Sequence, residues 1–217
     1  MEKSHSLSLL CVSSVFIFAG LCGGPGVDPC EYDVLACQAN LYDFTIDKDC
    51  DLTGELAVEV GGGESSYVAL PERQPPVVYS GGQGGQHIFV GLRITNAALD
   101  RYDKVLARFG VYSQCEIGAP CYSFEVGEFT CSDREADAKT GVCESILGER
   151  TAVLGSAKSL RVVDDGIVEE YGLLVILDNW PVWNGTGVIR AVVLDPCEQS
   201  GTAEHTFPGE SREDTGR

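Results

Sequence analysis

Basic residues are scarce in this chain: 15 Lys and Arg stand against 33 Asp and Glu, a formal net charge of −18. A phosphate-binding face needs a basic patch, and the bases here occur singly or in isolated pairs. Charge therefore argues against nucleic acid, and against anionic lipid headgroups, as partners. Cations, sugars and basic protein surfaces remain open. Histidine is scarcer still, with three in all, and no cysteine spacing is C-x-x-C, which leaves a zinc cluster without a good donor set. The G-x-S-x-G elbow and the H-E-x-x-H helix are missing too, and oxidised cysteines are not nucleophiles. Carboxylate pairs for glycoside hydrolysis leave no mark in a sequence, because their separation is a tertiary property; an exported hydrolase of that kind ranks last. The chain reads as a non-enzyme, with no catalytic and no cofactor-binding residue to name.

Long apolar runs are confined to the start. Leu7 to Leu21 carries no charge and follows a polar head bearing Glu2 and Lys3. At fifteen residues it is short of the ~20 that a membrane span needs, so residues 1–22 read as a secretory signal peptide. Two processing routes compete. Cys22, followed by Gly23-Gly24-Pro25-Gly26, has the setting of a lipidated cysteine, although Leu21 stands where a small residue is expected. The other route is plain cleavage after Cys22, with Gly20 at the third position back. Either route takes the mature protein out of the cytosol, to the outer membrane or cell surface, the periplasm or the medium. Membrane contact comes only through an anchor at Cys22.

Eight cysteines follow the leader: Cys30, Cys37, Cys50, Cys115, Cys121, Cys131, Cys143 and Cys197. An even number in an exported chain implies disulfides, four here, whose connectivity spacing alone does not give. If the middle cysteines (Cys115, Cys121, Cys131, Cys143) pair among themselves, Cys197 must join Cys30, Cys37 or Cys50, and the first strand region is stapled to the last.

What remains is β in pattern. Gly81 to Gly85 form a glycine-rich turn that runs into Gln86 to Thr95, where Ile88, Val90, Leu92 and Ile94 alternate with His87, Phe89, Gly91, Arg93 and Thr95. Further strands are expected at Leu41–Ile46, Leu56–Val60, Tyr67–Leu70, Val77–Tyr79, Val105–Tyr112, Cys121–Thr130, Arg150–Leu154, Ser159–Val163, Val168–Leu177, Val188–Leu194 and Thr202–Phe207. Helix competes over Asp100 to Phe109, but Gly110 and the β-branched flanks favour strand. The acidic, cysteine-rich stretch Cys115 to Glu144 reads as an insertion or long hairpin. The expected fold is all-β: an immunoglobulin-like antiparallel β-sandwich with a Cys-rich insertion, after an N-terminal signal peptide. Residues 23–40 form a Gly/Pro spacer and cysteine-bearing lead-in, 41–207 the sandwich, and 208–217 a disordered tail.

The run GGQGGQHIFVGLRI, with LAVEVGGGESSYVAL before it and GLLVILDNWPVW and VIRAVVLDPC after it, resembles a group of uncharacterised exported lipoproteins of myxobacteria and related Gram-negative bacteria. These share a G-x-Q-G-G-x-H turn leading into an aromatic strand that ends in arginine. Gly82, Gln83, Gly84, Gly85, His87, Phe89 and Arg93 match that pattern, and the resemblance spans roughly Leu52 to Cys197. It implies an immunoglobulin-like fold at the cell surface or in the periplasm, and no activity.

Four groups of residues are candidate sites. The glycine-rich turn feeds a strand, whereas a phosphate cradle needs a helix to present its N–H groups, so it reads as a backbone turn. Asp47, Asp49 and Asp51 have the one-three-five spacing of a calcium loop, but Leu52 and Val58 stand where its glycine and last acid belong; calcium is the one candidate cofactor, at a looser site. Trp180 and Trp183 share one loop and could offer a stacking platform to a glycan or a protein. His87 and Arg93 lie on the outward face of their strand, where Arg93 is expected to pair with an acid on a neighbouring strand. The function expected is a non-catalytic, disulfide-stabilised structural or interaction module, with a protein or glycan at the cell surface as partner. The alternative is a carbohydrate-binding or calcium-assisted adhesion module built on the Trp180/Trp183 loop.

Overall fold

The computed structural model describes residues 35, 39–42, 44–47, 50, 54–82, 85–97, 104–123, 127–132, 134, 136–137, 140–155, 161–164, 166–178 and 185–209. Among them run twelve strands: β1 (Ala57–Gly62), β2 (Val68–Ala69), β3 (Tyr79–Ser80), β4 (Gln86–Thr95), β5 (Lys104–Glu116), β6 (Pro120–Ser123), β7 (Gly127–Thr130), β8 (Val142–Gly155), β9 (Arg161–Asp164), β10 (Ile167–Leu177), β11 (Thr186–Leu194) and β12 (Ser200–Pro208). They form two main antiparallel sheets. The first runs β2-β1-β4-β10-β9, with β3 pairing the start of β4; the second runs β12-β11-β5-β8. A separate hairpin, β6-β7, extends from the end of β5.

The core follows from alternation. In a pleated strand every second side chain faces the same way. On β4, Ile88, Val90, Leu92 and Ile94 are wholly buried, and they meet Val105, Ala107, Phe109 and Val111 of β5, which are equally buried. Ile189, Ala191 and Val193 of β11 and Val175 and Leu177 of β10 complete the layer. The segment that could have been helical is strand from Lys104 onward, because Ala107 and Phe109 are needed on one face of a sheet.

Glycine closes the sandwich along both sides. A Cβ on Gly148 of β8 would stand 2.1 Å from the Ile176 carbonyl oxygen of β10, and the Asp178 amide donates to the Leu147 carbonyl across the same seam at 2.8 Å. Along the opposite seam a Cβ on Gly201 of β12 would meet Val58 Cγ2 at 2.7 Å, and the Leu56 amide donates to Gln199 Oε1 at 2.9 Å. Only residues without side chains allow strands of different sheets to approach so closely.

Two expected strands take another form. The described residues of Leu41–Ile46 contain no strand: Ala39–Tyr42 is a 3-10 turn, and the Phe44 amide donates to the Ala39 carbonyl. This segment packs as a partial outer layer instead, with Leu35, Ala39 and Phe44 buried against Leu106 and Leu194 on the outward face of the second sheet. Cys121–Thr130 is two strands folded on each other, β6 and β7, with Cys121 opposite Phe129.

Three disulfides lie among the described residues: Cys50–Cys197, Cys115–Cys121 and Cys131–Cys143. The first ties the segment before β1 to the β11–β12 turn. The other two fasten the β6-β7 hairpin to the ends of β5 and β8, where the four cysteines form a small core with Ala119, Phe129 and Ala136.

Candidate functional site

The outward face of the first sheet has two halves. In one, Arg93 of β4 sits directly opposite Glu59 of β1 and Glu169 of β10. Its Nε and Nη2 donate to Glu169 Oε1 at 3.0 and 2.8 Å, and its Nη1 donates to Glu59 Oε2 at 3.1 Å. Both neighbouring strands thus supply the acid that the sequence led us to expect from one. The Tyr67 ring covers the guanidinium at 4.4 Å, in a favourable cation–π arrangement. Room for that ring comes from the cross-strand pair Gly61 and Gly91, where added Cβ atoms would lie 2.7 and 3.1 Å from it. Burial, then the Glu59 charge, raises the Tyr67 phenol above its ordinary pKa.

The other half is apolar and open. Register places Tyr79 of β3, His87 of β4 and Ile176 of β10 in one row, with Phe89 and Leu174 in the next. Tyr79 stacks on His87 at 5.7 Å between centroids and meets Phe89 edge-on at 5.2 Å, while His87 meets Phe89 edge-on at 5.4 Å. Ile176 is 64% exposed, and Val77 beside Tyr79 is exposed to the same degree. At the lead-in end of the second sheet the outward apolar residues Leu106 and Leu194 are covered by the segment around Phe44. The Tyr79–Ile176 row keeps its exposure. An exposed apolar patch rimmed by polar groups marks a contact surface.

The second sheet carries its own arginine cluster. Arg190 of β11 donates in parallel through Nη1 and Nη2 to the two Glu144 oxygens, each at 2.8 Å, and through Nε to Glu204 on β12. Its guanidinium lies 4.8 Å from the Tyr112 ring, and the Tyr112 hydroxyl donates to Glu149. Burial, then the bond to Glu149, pushes the Tyr112 phenol far up. Burial alone would raise Glu144, but hydrogen bonds from Arg190 and Gln114 outweigh it and hold the carboxyl below its ordinary value. The folded state therefore takes up this proton less readily than the unfolded chain. The associated stability is fully present above the unfolded pKa of 4.5 and is lost as pH falls. Urea melts of wild type and Glu144→Gln should accordingly differ more at pH 7 than at pH 3; an equal gap at both pH values would contradict this coupling.

Each outward carboxylate pair, Glu59 with Glu169 and Glu144 with Glu204, converges on one arginine on an open sheet face. That arrangement neutralises charge and holds strands in register; it does not poise an acid and a base across a cleft. Among the described residues no three of His, Cys, Asp and Glu are placed to hold a metal. Of the calcium candidates, Asp47 has its amide bonded to the Pro196 carbonyl at 2.6 Å, and Asp49 and Asp51 lie outside the described residues, as do Trp180, Trp183, Gln83, Gly84, Cys22, Cys30 and Cys37. Tyr79 and Ile176 were not anticipated. The signal was present in the run Leu173 to Leu177, apolar at outward as well as inward positions, which is the mark of a strand covered on both faces.

No protein-family model matches the chain, and no curated protein matches it either.

Proposed function

We propose that the protein is an exported, non-catalytic interaction module, an immunoglobulin-like sandwich held at the cell surface or in the periplasm that docks a protein partner on the open half of its first sheet. The observation that carries this reading is the Tyr79–His87–Ile176 row with Phe89 and Leu174 beside it. Aromatic side chains bury much area at little cost in rotamer entropy, which suits them to anchor an interface. The disulfide framework supports an oxidising compartment. A net charge of −18 favours a partner whose rim is basic.

Placing a photo-reactive benzoylphenylalanine at position 176 in protein made by its own host tests the reading. The expected result is a discrete cross-linked adduct from 176 and none from position 146, which is exposed on the other sheet. Adding Tyr79→Ala should cut the adduct at least about tenfold, since an anchoring aromatic contributes about 2 kcal/mol. No adduct from 176, or equal adducts from both positions, would refute it. Intact mass from the same material, before and after reduction, reports acylation at Cys22.

A further inference from the structure

The β6-β7 hairpin carries two disulfides whose cysteines are also placed to pair otherwise. Cys115 on β5 and Cys143 on β8 are directly opposite each other in the ladder, yet each is bonded elsewhere, to Cys121 and Cys131. Opposite residues on antiparallel strands bring their Cβ atoms about 4.5–5.5 Å apart and aim them to the same face, and their Cα separation, about 4.5–5.5 Å, lies in the range a disulfide spans. Here the Cys115 Sγ lies 3.9 Å from the backbone carbonyl oxygen of Cys143, and all four cysteines belong to one buried cluster. The complementary pair is also near. Cys131 continues the hairpin ladder, its amide donating to the Ala119 carbonyl at 3.1 Å. With Cys121 opposite Phe129, Cys121 and Cys131 share a face of the hairpin, one diagonal step of about 7–8 Å apart, so that bonding them requires the two hairpin strands to shift toward each other.

We propose that this cluster is a thiol-responsive site that interconverts between two disulfide isomers, the observed Cys115–Cys121/Cys131–Cys143 and the alternative Cys115–Cys143/Cys121–Cys131. The co-reactant is a thiol, either small or at the active site of an oxidoreductase. Its thiolate attacks the Cys121 sulfur, forming a mixed disulfide and releasing the Cys115 thiolate. Cys115 attacks the Cys143 sulfur across the ladder, closing Cys115–Cys143 and releasing the Cys131 thiolate. Cys131 then attacks Cys121 in the mixed disulfide, closing Cys121–Cys131 and returning the thiol. Two disulfides are present before and after, the thiol is regenerated, and there is no net oxidation.

The isomers differ mechanically. In the observed form each end of the hairpin is bonded to a main-sheet strand, β5 through Cys115 and β8 through Cys143. In the alternative, β5 is bonded to β8 and β6 to the residue that follows β7, so the hairpin keeps its own staple but is joined to the sandwich through backbone alone. Thiol exchange thus converts a fixed arm into a tethered one. The exposed turn at Ile117 and Gly118, where φ is +83°, is the point at which the arm can give.

Two measurements test this. Wild-type protein held in a mixture of reduced and oxidised glutathione, quenched with N-ethylmaleimide and mapped by non-reducing peptide mass spectrometry, should yield Cys115–Cys143 and Cys121–Cys131 linkages together. They should exceed about 1% of the original linkages, within the usual range of minor states. Original linkages alone after exchange has reached equilibrium would overturn the proposal. A variant carrying Cys121→Ser and Cys131→Ser, made in an oxidising compartment, should contain a Cys115–Cys143 bond and neither of those thiols free; finding both alkylated without reduction would also overturn it.

Discussion

Replacing Cys50 and Cys197 together with alanine lowers the stability of the sandwich by about 4–5 kcal/mol. The bond spans 147 residues, and in the loop-entropy account a closure of that length restricts the unfolded chain by about 5 kcal/mol. A domain's whole stability is about 5–15 kcal/mol, so the loss is a large share of it. The bond also lands where the fold has invested polar groups. At the β11–β12 turn Asp195 is fully buried, and its Oδ1 accepts from the Cys197 and Gln199 amides, each at 2.9 Å. The Asp47 amide bonds the Pro196 carbonyl beside it, and the outer layer of Leu35, Ala39 and Phe44 packs on Leu194 next door. Without the bond no covalent link holds that layer beside the turn, and packing and hydrogen bonds must do so. The Cys131–Cys143 bond closes a span of only 12 residues, contributes about 3 kcal/mol on the same reasoning, and concerns the hairpin. Thermal melts should therefore show a drop of roughly 10–20 °C for the Cys50/Cys197 variant and a smaller one for the Cys131/Cys143 variant. Equal drops, or the reverse order, would show that loop length does not govern these bonds.

The parts of this structure legible in the sequence are those set by neighbours along the chain. The alternation from Ile88 to Ile94 dictated both the strand and its buried face, and Arg93 declared itself as an outward cation in need of acids. Leu41–Ile46 misled because its apolar spacing suits a strand, yet Phe44 and, in part, Ile46 find a covering surface while Leu41 is 80% exposed. Cys121–Thr130 misled because a β-rich run does not show where it doubles back. The open patch was hidden for a different reason. Ile176 and Tyr79 are neighbours through pairing with His87, and strand pairing at that distance is tertiary information. The bulge at Gly172, where φ is +70° and the register of β10 slips between Glu170 and Leu173, further separates the Arg93 half of the face from the aromatic half.

Gly148→Val should be the most damaging single substitution at a glycine of the main sheets. Gly148 has no positive φ that would exclude a side chain; the obstacle is the carbonyl of Ile176, against which a Cβ would lie 2.1 Å away. Real Cβ atoms essentially never come within 3.0 Å of such an atom, so β8 and β10 must part by about an ångström. The Asp178–Leu147 hydrogen bond at the same seam, 2.8 Å long, would stretch with them. Overpacking of this kind costs about 1–3 kcal/mol where side chains can yield, and backbone yields less, so at least about 3 kcal/mol is expected here. Gly201 at the opposite seam offers a graded comparison, because its closest neighbour is the Val58 side chain at 2.7 Å, with the Leu56 carbonyl at 3.2 Å; Gly201→Ala should cost less than Gly148→Ala. Gly82 has nothing within 4 Å of its Cβ position, and Gly82→Ala should stay within about 0.5 kcal/mol of wild type. Urea midpoints decide the ranking. If Gly148→Ala melts with Gly82→Ala, the close approach of the two sheets is not what closes the sandwich on that side. If Gly148→Ala melts lowest, the seam holds the edge of the Tyr79–Ile176 patch as well, since Ile176 presents its carbonyl to the seam and its side chain to the open face.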